Sequence, residues 1–154
     1  MRLRKALKYI SLSKRRVKKR RKSSKSVLWE NASDIGSRVK KLIKFSKLEF
    51  NPESISTLRS YNSKSRAYAR IWGLSKVWQM SLKLKPHYVI EVLSEKFDGL
   101  PDEKKDEVLL HELAHIPNNF SGSLLPHIRR GKRCFGRKVD SLIKEVRLNK
   151  KLDI

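Results

Sequence analysis

The first 25 residues hold thirteen Lys and Arg side chains and no acid, and this one-signed run limits what the chain can fold into. Arg2, Arg4, Lys5, Lys8, Lys14, Arg15, Arg16, Lys18, Lys19, Arg20, Arg21, Lys22 and Lys25 repel one another, and the Ser spacers among them offer no apolar surface to bury in return. Such a segment needs a polyanion to order it. Two units are therefore expected: a basic nucleic-acid-binding tail at 1–26, and one folded domain at 27–154 with a core of moderate size. The formal net charge of +23 makes a polyanion the natural partner of the whole chain, ahead of an acidic protein surface or an anionic membrane.

The charge is not spread evenly. Residues 86–126 carry eight carboxylates against three lysines, a net of −5. Inside this acidic island lies His111-Glu112-Leu113-Ala114-His115. On a helix, two imidazoles four residues apart share a face and can share a Zn²⁺, while the glutamate between them reaches a metal-bound water. A shuffled chain of this composition would contain H-E-x-x-H with a probability of only roughly 0.005.

Periodicity places the elements around the motif. Ile35, Val39, Leu42 and Ile43 have helical spacing, which predicts a helix over about 34–47 with Ser33 or Asp34 as N-cap. Ile55–Tyr61 and Ala67–Leu74 are rich in β-branched and aromatic residues, and Asn62-Ser63-Lys64-Ser65 between them predicts a hairpin. Tyr88–Leu93 reads as the strongest strand of the chain. Pro101 and Pro117 bracket the motif helix at about 102–116, whose first turns carry Asp102, Glu103, Asp106 and Glu107 in accord with the helix dipole. Val139, Leu142, Ile143 and Val146 predict a final amphipathic helix. Trp72 and Trp78 are assigned to the core.

A catalytic zinc takes three protein ligands and leaves one position for water. His111 and His115 supply two, and the remaining histidines are His87 and His127. His127 is favoured, because twelve residues after His115 leave room for the chain to exit the helix and return through Ser121-Gly122; Asp140 and Glu145 are further oxygen donors on the next helix. Glu112 is then placed as general base.

The runs Ala69-Arg70-Ile71-Trp72-Gly73-Leu74, Pro86-His87-Tyr88-Val89-Ile90-Glu91-Val92, His111 to Pro117, Phe120-Ser121-Gly122 and Pro126-His127 resemble a metallopeptidase family found in archaea and phages and related to SprT-like zincins. The resemblance covers about residues 33–148. It implies an α+β, zincin-like (SprT-like) domain with a small β-sheet packed on the HExxH active-site helix. It also implies His111, His115 and His127 as ligands, Glu112 as base, and Tyr88–Leu93 as the strand nearest the cleft. The chain departs from the family pattern at Ser123, where a second glycine is usual, and at Leu125, where an Arg is usual.

A second basic cluster, Arg129, Arg130, Lys132, Arg133, Arg137 and Lys138, follows His127 and would bring nucleic acid near the metal. Trp29 at the tail junction is open to stacking on bases. Cys134, the lone cysteine, cannot form an internal disulfide, and no apolar run approaches a membrane span. The basic N-terminus lacks a following apolar stretch, so no signal peptide is expected and the location is cytoplasmic or nucleoid. Nothing in the pattern calls for a homo-oligomer. Two functions compete. In one, a zincin-fold domain has become a ribosome-associated component bound to ribosomal RNA and neighbouring ribosomal proteins, since long basic extensions thread between RNA helices. In the other, an active zinc peptidase is recruited to nucleic acid and cleaves the proteins bound there. The first is the leading expectation.

Overall fold

Tyr88–Leu93 is largely buried on both faces, and it takes the centre of the sheet. A computed structural model describes residues 26–128 and 134–152. In it β1 (Leu28–Asn31), α1 (Ser33–Phe45), β2 (Ile55–Tyr61), β3 (Ala69–Gly73), α2 (Lys76–Leu82), β4 (Tyr88–Leu93), α3 (Ser94–Phe97), α4 (Asp102–Ala114) and α5 (Phe135–Leu152) follow in order. The four strands form one mixed sheet in the order β1-β2-β4-β3, with β2 and β4 parallel and the two outer pairs antiparallel. The architecture is a small α+β domain. The thirteen tail cations, together with Arg129, Arg130, Lys132 and Arg133 of the second cluster, lie outside the described residues.

The expected hairpin is corrected here. Ile55–Tyr61 and Ala69–Gly73 are both strands, but β4 inserts between them, pairing Thr57 with Ile90 on one side and Ile71 with Ile90 on the other. The physical reason is burial. Ile90 and Val92 are fully buried, whereas β3 carries Arg70 and Trp72, which fit an edge strand better than a centre. The linker between β2 and β3 also lacks the Asn-Gly or Asp-Gly pair that closes a tight hairpin.

The start of α1 differs too. Ala32, not Ser33 or Asp34, is the N-cap, and no side chain caps it. The reason is that β1 runs straight into the helix: Ala32 N–H donates to the Thr57 carbonyl and the Thr57 hydroxyl donates back to the Ala32 carbonyl at 2.7 Å. Asp34 instead serves in the first turn, where the Arg59 guanidinium grips it bidentately and lowers its pKa.

Helices α1, α4 and α5 pack against one another on a single face of the sheet. Their core comprises Ile35, Val39 and Leu42 of α1, Leu109, Leu110 and Leu113 of α4, and Val139, Leu142 and Val146 of α5, over Tyr88, Ile90 and Val92 of β4. Asp106 is buried where the three helices meet, accepting from Arg38 Nε of α1 at 2.6 Å and from Lys150 Nζ of α5. Trp72 and Trp78 are not in this core. They are 54% and 57% exposed, and α2, only seven residues long, buries Gln79 alone. Among the described residues no helix is long and apolar enough to cross a membrane.

Asp106→Ala would leave two cations without their shared carboxylate at the helix junction. Because Arg38 and Lys150 keep partial solvent access, the expected loss is about 2 kcal/mol. Urea denaturation of variant and wild type reads it directly, and an unchanged midpoint would remove Asp106 from the stability of the fold.

Candidate metal centre

The buried face of α4 fixes one half of the site. Leu109, Leu113 and Ala114 point into the core, so His111 and His115, one turn apart, are carried at its margin with rings 5.2 Å apart. The helix stops at Ala114, and His115 follows as C-cap with helical backbone angles. Lys138 of α5 closes this end, its ammonium donating to the carbonyls of Ala114 at 2.7 Å and Ile116 at 3.1 Å. A cation at a helix C-terminus complements its dipole. Lys138 is therefore a capping group, not part of a phosphate-binding cluster, and burial lowers its pKa.

The other half is a returning loop. After Pro117 the chain turns at Phe120 and Gly122, crosses the end of β3, and delivers His127. Gly122 has φ +86°, and a Cβ on it would stand 2.1 Å from the Leu74 carbonyl oxygen. A Cβ on Gly73 would stand 2.3 Å from the Gly122 carbonyl oxygen. Two backbones touch here, so both positions require glycine. The crossing is tied by the Tyr88 hydroxyl, which accepts from Gly122 N–H at 2.8 Å and donates to the Ser123 carbonyl at 2.9 Å. Gln79 Nε2 donates to the Leu74 and Ser121 carbonyls. The departures at Ser123 and Leu125 fall where the chain works through its backbone: Leu125 N–H donates to the His115 carbonyl at 2.8 Å.

Three imidazoles converge as a result. Donor atoms of His111, His115 and His127 all lie within 4.8 Å of one another. His87 is elsewhere, its Nε2 2.8 Å from the Ser56 hydroxyl, and Asp140 and Glu145 take no part in the cluster. His115 Nδ1 faces the Leu125 carbonyl at 2.6 Å, and because a carbonyl only accepts, Nδ1 carries the proton and Nε2 keeps its lone pair. Burial, then repulsion from His115 and His127, holds His111 below the ordinary imidazole pKa. Burial also lowers His115, against the hydrogen bond to Leu125 and with help from the charges of His127 and Lys138. Neutral imidazoles are what a metal requires.

Two nitrogens each about 2.05 Å from a tetrahedral ion stand roughly 3.3 Å apart. His111 Nε2 and His127 Nε2 are 2.9 Å apart and the group as a whole extends to within 4.8 Å, so the rings must shift for all three to bind one ion. Phe135 supports all three rings, stacking on His115 at 4.3 Å and meeting His111 and His127 edge-on at 5.1 and 4.6 Å. Sequence reasoning missed Phe135, Tyr88 and Gln79 as site residues. Phe135 begins α5 one turn before Val139, so extending that apolar stripe backwards would have found it.

Glu112 lies beside the cluster and is 9% exposed. Burial pushes its carboxyl up to about 7, opposed by a hydrogen bond from the Ile71 N–H. Glu112 makes no pair with Lys104, whose ammonium instead meets Glu107 at 2.6 Å. The Ile71 contact also corrects the expectation for the cleft: β3, not Tyr88–Leu93, is the strand beside it. Together with α4 and α5, residues 67–69 enclose a recess of about 540 Å³ lined by Tyr68, Val108, His111, Glu112, Val139 and Ile143.

A family model described as "Putative phage metallopeptidase" matches residues 27–145. The chain belongs to that family. No curated protein and no solved structure matches it. The match includes all three histidines and Glu112.

Two outcomes are expected of this metallopeptidase-family site. Gly122→Ala should displace the crossing loop, and with it His127, lowering zinc affinity about tenfold or more while helix content by circular dichroism persists. Competition with a chelating dye measures this, and wild-type affinity would show the crossing to be irrelevant to the ligand. The second concerns pH. In the metal-free protein Glu112 ionises near 4.5 when unfolded and near 7 when folded, so its neutral form favours folding below pH 4.5. That advantage drains away as pH rises to about 7, a cost of about 3 kcal/mol. Metal-free Glu112→Gln should then be more stable than wild type near pH 8 and indistinguishable near pH 4. Denaturation at both values checks it; a constant difference would mean that Glu112 does not titrate this way.

Proposed function

We propose that this chain is a zinc-dependent peptidase of zincin-like (SprT-like) type, working in the cytoplasm and held on nucleic acid by its tail. The observation that carries the reading is the donor count. Among the described residues the metal-capable group has three imidazoles and no fourth side chain, which leaves one position for water, and the buried Glu112 adjoins His111 in the same recess. His111, His115 and His127 would hold Zn²⁺, which would supply Lewis acidity and lower the pKa of water towards neutrality. Glu112 takes the proton from the attacking water and returns it to the leaving amine.

The surroundings favour a peptide substrate. The apolar recess beside β3, between Tyr68, Val108, Val139 and Ile143, accepts an apolar side chain. The competing reading, a ribosome-associated protein on ribosomal RNA among neighbouring ribosomal proteins, rests on tail charge alone. A purely structural zinc has no use for Glu112, so catalysis is preferred.

Zinc analysis and protease assays on free and nucleic-acid-bound proteins test this together. Wild type should carry one zinc per chain and cleave. Glu112→Gln should keep the metal and lose activity by 10² or more, and His127→Ala should lose the metal itself. Equal activity of Glu112→Gln and wild type would end the peptidase reading.

A further inference from the structure

The sheet has a second face, away from α1, α4 and α5, and its centre is a buried carboxylate. Side chains alternate along a strand, so with Tyr88, Ile90 and Val92 turned into the core, Glu91 faces the other way. Glu91 is only 2% exposed, yet no helix of the core covers it. What covers it are two indoles. Trp29 of β1 donates its Nε1–H to one carboxylate oxygen at 3.0 Å, and Trp72 of β3 donates to the other at 3.0 Å. Arg70, opposite Glu91 in the β3–β4 register, places Nη1 at 3.8 Å from the same carboxylate and keeps 37% of its side chain in solvent. Burial raises the Glu91 pKa, but the Ser60 hydroxyl, the two indoles and the Arg70 charge outweigh it and hold the carboxyl below its usual value.

This arrangement would be wasteful if its only purpose were stability. Burying a carboxylate costs free energy that its partners merely recover, and the rings it holds remain 58% and 54% exposed. Its effect is to fix the orientation of two large aromatic faces at the surface, so that a ligand stacking on them need not order them first. The formal net charge of +23 favours a polyanion as the occupant, and two oriented indoles beside Arg70 favour one with unpaired bases. Duplex DNA presents phosphates but keeps its bases stacked, whereas an unpaired strand offers both.

We propose that this outer sheet face is a binding site for single-stranded nucleic acid, in which Trp29 and Trp72, oriented by Glu91, stack on bases while Arg70 takes a phosphate. Stacking reads no sequence and no sugar. The site is on the opposite side of β4 from the histidines and does not depend on hydrolysis.

The test uses full-length protein with three probes: labelled (dT)15, a 15-base-pair duplex, and inorganic polyphosphate, a polyanion without bases. Binding of (dT)15 should quench tryptophan emission of the unmodified protein, and polyphosphate should not. Trp29→Ala and Trp72→Ala should each weaken (dT)15 about tenfold, with duplex affinity, the salt dependence and zinc content unchanged. Trp72→Phe, which keeps a stacking face, should retain most of the affinity. Three results would each overturn the proposal: wild-type (dT)15 affinity in both alanine variants, equal weakening towards duplex and single strand, or equal quenching by (dT)15 and polyphosphate. The first would leave the indoles as a contact for a protein partner.

Discussion

Tyr88–Leu93 is enclosed on both faces, and this requires successive side chains of one strand to be satisfied by different layers of the molecule. Ile90 and Val92 are satisfied by packing against the three-helix layer. Glu91 is satisfied by two indoles and an arginine. Tyr88 is satisfied at its ring by Phe120, 4.8 Å away edge-on, and at its hydroxyl by the backbone of the crossing loop. A shift of one residue in the β2–β4 or β3–β4 pairing would exchange all of these at once. Tyr88 would leave the loop that carries His127, and Glu91 would be turned into an apolar core with no donor to meet it. The register of one strand thus holds the third histidine in place.

The acidic island has a plainer role than its sequence suggests. Asp102 and Asp106 are engaged by Arg38, and Glu107 by Lys104 and Arg147. These carboxylates on α4 are counterparts to cations of α1, α4 and α5, and they attach the motif helix to its neighbours. Exposed pairs among them contribute little individually; Asp106, mostly buried, contributes more. Glu112 differs from the others because no cation among the described residues meets it. Its nearest polar partner is a main-chain N–H of β3, which is why its pKa rises while its neighbours are held by charge.

Local signals explain which parts were legible. α4 and α5 were readable because their apolar residues repeat with helical spacing, and β4 because six consecutive strand-forming residues are bounded by Pro86 and a turn into α3. The three ligands were readable because so few histidines exist to choose from. Strand order was not readable: whether β2 meets β3 or β4 depends on which strand is most apolar on both faces, a comparison among distant segments. β1 escaped notice because all four of its residues are exposed and carry no alternating pattern. Trp72 was misassigned because hydrophobicity says nothing about an indole whose N–H is needed by a carboxylate.

Lys138 shows how charge and metal chemistry are reconciled at the end of α4. The last carbonyls of a helix concentrate partial negative charge, which would favour protonated histidines in the final turn and so oppose metal binding. An ammonium donating to the Ala114 and Ile116 carbonyls cancels that field where His115 sits, and its own charge further disfavours imidazolium. The same bond replaces the main-chain donor that Pro117 cannot supply, so the chain can leave the helix immediately after the second ligand. A basic residue in this position therefore serves both the helix end and the neutral state of the ligands, and its cost is a partly buried ammonium whose pKa falls.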